Sequence, residues 1–323
     1  MRLFPTRATT VAALAAAFLA VCIAATGCTP ARPSVVHVVP KHTVTDRHLV
    51  SYPGIRVRAN VTYATADGHA LRLDVCLPRV GRAKRIAPRP TILVIHGGGW
   101  AAGDKSQPDW RNVCEWLAST GYVTASVDYR LAPAHVYPAG IRDVEHAVEW
   151  LRAPAQVTRF AIDPTLIGAF GGSAGGNLAA LLGTTGSGSL TTGHRVAAVA
   201  DFSGPTNLTV TGQEETYVVA LVNTYLGCRT LAECPSAVPA SPLYDVDQTD
   251  PPFFIANSTK ELIPLSQATS FVNRLRASNV PVTFVTITGD EHSITTLDAA
   301  MRARVLDFFA HTLVHVPFDG LAP

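Results

Sequence analysis

The sequence predicts an α/β protein, a mostly parallel sheet wound by helices on both faces, and three observations carry that reading. Short apolar runs at residues 91–95, 122–127, 166–170, 196–200, 253–256 and 282–287 have the length and continuity of strands buried on both faces. Stretches that read as helices follow most of them, at 108–120, 139–151, 177–182, 265–277 and 297–311, and this alternation closes by right-handed crossovers into one doubly wound sheet. Turns tight enough to need glycine directly follow the strands at 91–95 and 166–170.

Composition sets the outer bounds. The 323 residues can hold one large domain or two small ones, and 47% hydrophobic against 15% charged residues describes a globular chain. A formal net charge of +2 gives no argument for a nucleic-acid or acidic partner, and none is expected. No solenoid-like repeat and no closely spaced Cys/His cluster stands out, so neither a metal nor a cofactor is expected. Two alternating stretches, 55–64 and 70–77, flank Asp67-Gly68 and predict an antiparallel hairpin ahead of the parallel sheet.

The first residues read as an address. Arg2 and Arg7 precede an apolar run at 11–25 that suits a signal-peptide core and is short for a membrane span. It ends in Ala25-Thr26-Gly27-Cys28, which resembles a bacterial lipobox. That resemblance implies cleavage before Cys28, lipid attachment to it, and anchoring to the outer face of the cytoplasmic membrane; a plain secretory signal with an incidental cysteine is the alternative. The expected organisation is a signal peptide at 1–27, a tether at 28–51, one domain at 52–315 with an insert at about 205–250 placed as a lid, and a tail at 316–323. Of six cysteines, Cys22 leaves with the signal and Cys28 is acylated, so four remain for an oxidising compartment. Cys228 and Cys234 flank a short loop and are expected to pair, whereas Cys76 and Cys114 are left as either a bridge or two buried thiols.

Two turns carry the chemistry. Phe170-Gly171-Gly172-Ser173-Ala174-Gly175-Gly176 fits the G-x-S-x-G elbow between strand and helix, which sets the Ser173 hydroxyl at a helix N-terminus as a nucleophile. His96-Gly97-Gly98-Gly99-Trp100 fits a loop whose glycines let backbone N–H groups turn toward an oxyanion. With these motifs the chain resembles the α/β-hydrolase fold esterases, of the hormone-sensitive-lipase-like and bacterial carboxylesterase kind, over about residues 61–312. Further matches are Val127-Asp128-Tyr129-Arg130-Leu131-Ala132-Pro133, Tyr137-Pro138-Ala139, Asp163-Pro164, Gly204-Pro205-Thr206-Asn207-Leu208, Ala240-Ser241-Pro242-Leu243 and Asp250-Pro251-Pro252. The resemblance implies oxyanion N–H groups from Gly98, Gly99 and Ala174, scaffold roles for Asp128 and Asp143, and Trp100 either in the acyl-pocket wall or in the core.

His292, in the polar loop after the last strand, occupies the base's place in the order Ser…acid…His. The acid departs from the pattern. Where relatives place an Asp shortly before an apolar residue and proline, this chain has Lys260-Glu261-Leu262-Ile263-Pro264, and lysine cannot accept the imidazole proton. Glu261 is the first choice, reaching by its extra methylene; Asp201 from the preceding strand, or a Ser–His dyad, are the alternatives. The expectation is a serine ester hydrolase acting through an acyl-enzyme on short-to-medium acyl esters at the cell envelope. An envelope acyltransferase with the same site, or a degenerate hydrolase kept as a binding lipoprotein, are the competing readings.

Overall fold

The computed structural model describes residues 36–39, 50–79, 87–209 and 216–314. Its strands are β1 (Val36–Val39), β2 (Arg56–Ala66), β3 (His69–Leu77), β4 (Arg89–Ile95), β5 (Val123–Val127), β6 (Ile162–Gly172), β7 (Ala198–Phe202), β8 (Phe253–Ser258) and β9 (Val282–Ile287). Its helices are α1 (Pro108–Ser119), α2 (Ala139–Arg152), α3 (Pro154–Phe160), α4 (Ala174–Thr184), α5 (Thr216–Leu226), α6 (Pro242–Asp245), α7 (Leu265–Ala277) and α8 (Ala299–Phe309). The strands form one sheet in the order β1-β9-β8-β7-β6-β4-β5-β3-β2. Pairing is parallel from β1 through β5, and antiparallel only where β3 joins β5 and β2 joins β3. The hairpin turns on Asp67 (φ 50°) and Gly68 (φ 76°), two left-handed residues whose twist matches the strands they join.

Side chains of each central strand alternate between two cores. On β4, Leu93 and Ile95 face one layer with α2, α4 and α7, while Ile92 and Val94 face the other with α1 and α8. Phe170 of β6, Phe202 of β7 and Phe254 of β8 stack in sequence across that second face, with ring centroids 5.1 and 5.8 Å apart. Such contacts add directional packing to the apolar area they bury.

Several boundaries differ from the sequence reading. β7 begins at Ala198, whose partner is Gly168, and runs to Phe202, so Asp201 lies inside the strand on the α4 face rather than at its end. β8 extends through Asn257 and Ser258, carrying the ladder up to the acid's turn. The short helix α3 is an element beyond those the sequence predicts; it opens on Pro154, whose missing N–H is harmless in a first turn. The last helix starts only at Ala299, because Asp298 caps it by accepting from the Met301 N–H at 2.7 Å, and residues 310–314 wind more widely after it. The insert, expected to be irregular, contains α5 and α6. Part of the stretch expected to be a tether belongs to the sheet, since Val36–Val39 pairs in parallel with β9. The signal segment 1–27, Cys28 and the tail 316–323 lie outside the described residues. Among those described, no helix is long and apolar enough to cross a membrane.

Candidate active site

The site gathers at the C-terminal ends of the parallel strands, where an α/β sheet presents its loops. β6 delivers Gly171 and Gly172 to Ser173, which takes φ 57°, ψ −126° and stands directly before α4 as its N-cap residue. A left-handed non-glycine residue is strained, and the surrounding bonds hold it there. Its N–H donates to the Phe202 carbonyl at 2.8 Å, and its carbonyl accepts from the Asn177 N–H at 3.1 Å. The flanking glycines follow from contact distance. A Cβ on Gly171 would lie 2.0 Å from the Gly175 carbonyl oxygen, and one on Gly175 would lie 2.1 Å from that of Ile95. The elbow therefore closes only with hydrogen at both positions.

The loop after β4 folds onto this elbow. Gly97 packs so closely that a Cβ there would lie 2.9 Å from the Gly172 carbonyl oxygen and 3.2 Å from Ser173 Cβ. Gly98 (φ 117°), Gly99 (φ 58°) and Trp100 (φ 57°) turn successively left-handed, and the Gly98 carbonyl accepts from the N–H groups of Ala101 and Ala102. His96 is buried against Tyr129, ring centroids 4.4 Å apart. Burial lowers its pKa, so the ring is neutral, with Nδ1–H donating to the Gly97 carbonyl at 2.7 Å. That bond ties the ring to the loop, and His96 is not among the residues lining the cleft. Gly98, Gly99 and Ala174 line the same cleft as Ser173 and His292, a cavity of about 380 Å³.

Glu261 and His292, the expected acid and base, meet beyond the ends of β8 and β9. Glu261 Oε2 is hydrogen-bonded to His292 Nδ1, with the carboxylate fully buried and the imidazole partly open to the cleft. Glu261 Oε1 accepts from the Ser203 hydroxyl at 2.7 Å and from the Ser258 N–H at 2.8 Å. A buried carboxylate is tolerable when donors meet its lone pairs, as they do here. Lys260, at the position expected for the acid, is exposed and donates its backbone N–H to the Gly289 carbonyl at 2.8 Å.

Asp201 takes a different direction: it accepts from the Gly204 N–H at 2.9 Å and packs on Gly176, in the α4 layer. Burial, with the nearby Glu261 charge adding to it, pushes its carboxyl up to about 7. The structure thus brings Glu261 to His292 and places Asp201 elsewhere. The loop after β9 lies against the elbow, since a Cβ on Gly172 would fall 2.1 Å from Ser293 Oγ.

The insert closes one side of the cleft. From α5, Tyr225 stacks on Trp100 with centroids 4.5 Å apart, and Leu221 covers Gly99 so tightly that a Cβ there would lie 2.7 Å from its Cδ1. Trp100 both lines the cleft and donates to Asn177 Oδ1 at 3.2 Å, so it serves wall and core together. Val218, Leu221, Leu262 and Ile263 form an apolar wall, with Gln107, Asp109 and Thr295 elsewhere around the cleft. Disulfides join Cys228 to Cys234, just beyond α5, and Cys76 of β3 to Cys114 of α1. Asp143 chelates the Arg130 guanidinium and Asp128 pairs with Lys105 at 3.2 Å, both away from the cleft lining. Among the described residues, no group of three or more His, Cys, Asp or Glu side chains is placed to hold a metal ion. Nothing in the sequence singles out Ser203, Ser258 or Tyr225; only its place directly before Gly204 marks Ser203.

Comparison with known proteins agrees with this architecture. The BD-FAE family model matches residues 73–275. The chain is 34% identical over 232 residues to esterase LipC of Mycobacterium tuberculosis, covering 66% of this chain and 55% of that protein. It is 26% identical over 226 residues to esterase LipQ of the same organism, covering 67% and 53%. It thus spans about half the length of these curated relatives. Among solved structures, the apo form of Thermogutta terrifontis esterase 2 superposes with a TM-score of 0.65 at 25% identity, covering 86% of this chain and 99% of that one. A truncated carbohydrate esterase from gut microbiota gives 0.67 at 24%, covering 80% and 96%, a likeness of fold. On a family match that spans most of the sheet and both glycine turns, the chain belongs to the BD-FAE family, among the esterases of the α/β-hydrolase fold.

Proposed function

We propose that the protein is a serine carboxylic ester hydrolase that works through an acyl-enzyme on Ser173. The observation that carries this reading is the Glu261–His292 pair opening into the cleft that Ser173 also lines. Bound to Glu261 through Nδ1, the neutral imidazole keeps Nε2 free to accept the Ser173 proton as Oγ attacks the ester carbonyl. The N–H groups of Gly98, Gly99 and Ala174 receive the developing oxyanion, and protonated His292 returns its proton to the departing alkoxide. Water then repeats the sequence in reverse and frees the acid. The apolar wall of Val218, Leu221 and Ile263 suits short-to-medium acyl groups.

The names of the relatives support this chemistry, and Thermogutta terrifontis esterase 2 is described as phosphonylated by sarin. A reading as a degenerate hydrolase rested on Lys260, and loses that support with Glu261 on the imidazole. Location at the cell envelope through a lipid on Cys28 rests on residues 1–28 alone. A fluorophosphonate probe should label the wild type and spare Ser173→Ala, and p-nitrophenyl esters of rising chain length should be turned over best at the short end. An unlabelled wild type that hydrolyses none of these esters would remove the hydrolase reading. Metabolic labelling with a fatty-acid analogue, lost in Cys28→Ala, tests the anchor.

A further inference from the structure

We infer that Ser203 is a positioning residue for the acid–base pair, its hydroxyl tying the buried acid to the loop that carries the base. The inference rests on the hydrolase reading above. Ser203 Oγ donates to Glu261 Oε1 at 2.7 Å and accepts from the Ser293 N–H at 3.0 Å. A carboxylate only accepts and an N–H only donates, so the hydroxyl proton has one direction, toward Glu261. Oε1 is then held by two donors, Ser203 Oγ and the Ser258 N–H, which leaves Oε2 turned to His292. The second bond grips Ser293, the residue next to the base. One hydroxyl therefore sets both the rotation of the carboxylate and the approach of the imidazole.

The backbone at this position shows that the side chain is not what holds the chain in place. Ser203 has φ 58°, a left-handed conformation that glycine adopts without strain, and its N–H is already bonded to the Ala256 carbonyl at 2.9 Å. Removing the hydroxyl leaves the β7–β8 connection intact and takes away only the link between acid and base loop. The charged and titratable groups near this link are Glu261 and Lys260 after β8, Asp290, Glu291 and His292 after β9, and buried Asp201 on β7, which Glu261 influences through space.

The test uses Ser203→Gly, which fits φ 58°, beside Ser203→Ala. With a charge-assisted hydrogen bond gone, kcat should fall roughly 10- to 100-fold while KM changes less than about threefold. The carboxylate, short of one donor, holds more uncompensated charge and favours the imidazolium, so the acid limb of the kcat/KM profile should move to higher pH. NMR titration of the ¹⁵N-labelled His292 ring should move the same way, and it needs no turnover. A folded Ser203→Gly protein with wild-type kcat and an unmoved acid limb overturns the inference. So does a fall in kcat with neither the limb nor the ring titration displaced, the mark of a purely structural residue. If the wild type turns over no ester, the hydrolase reading fails, and the ring titration alone then decides for Ser203, a moved midpoint supporting it and an unmoved one ending it.

Discussion

Glu261 reaches His292 from one position beyond Lys260, and the longer acidic side chain spans the displacement. In the proposed mechanism it holds the imidazole in one tautomer and balances the imidazolium. An amide in its place keeps the shape but offers the wrong hydrogen-bonding partner. Glu261→Gln should therefore lower kcat about 10³- to 10⁴-fold, as loss of the acid does in related triads. Asp201→Asn should lower kcat far less at neutral pH, because Asp201 accepts from the Gly204 N–H and makes no bond to the imidazole. Initial rates on a p-nitrophenyl ester decide between them, and the opposite order would transfer the role to Asp201. Ser173 and the glycines were legible in the sequence because tight backbone geometry demands particular residue types in consecutive places. Ser203 was not, because its role arises where three strand ends converge, and a serine after a strand announces nothing by itself.

The same contrast holds among whole elements. Helices α1, α2 and α7 carry apolar residues on one face and polar ones on the other, and were legible nearly to their ends. α5 was not. Its sequence, Thr216-Tyr217-Val218-Val219-Ala220-Leu221-Val222, is rich in residues that favour strands, and its helix is fixed by packing on Trp100 and Gly99. Such an element benefits from a staple. The Cys228–Cys234 bridge closes a loop with a sequence separation of 6, and chain-entropy reasoning gives about 2 kcal/mol for so short a closure; Cys76–Cys114, with a separation of 38, gives about 4 kcal/mol. Replacing both Cys228 and Cys234 by Ser should cost a few degrees of melting temperature and raise KM more than it lowers kcat, because α5 supplies cleft wall and no proton-transfer group. Thermal melts beside Michaelis kinetics would show it. An unchanged KM would mean that α5 holds its place without the bridge.

Among the described residues, the groups of the proposed mechanism follow C-terminal strand ends: the glycine loop after β4, Ser173 after β6, Ser203 after β7, Glu261 after β8 and His292 after β9. Just beneath that edge, Asp201 is buried between β7 and α4. Burial raises its carboxyl from the ordinary 3.8 to about 7 in the folded protein. An acid whose folded-state pKa is raised leaves stability fully present below pH 3.8 and removes it progressively as pH rises to about 7. By pH 8 the loss from this group is on the order of 4 kcal/mol. Asp201→Asn keeps an oxygen for the Gly204 N–H and cannot ionise. Titrating groups that do not interact with Asp201 are common to both proteins and cancel when variant and wild type are compared at one pH. The variant should therefore gain stability over the wild type by several degrees more at pH 8 than at about pH 4.5, in thermal or urea melts. An equal difference at the two pH values would show that Asp201 ionises in the folded protein as readily as in the unfolded chain.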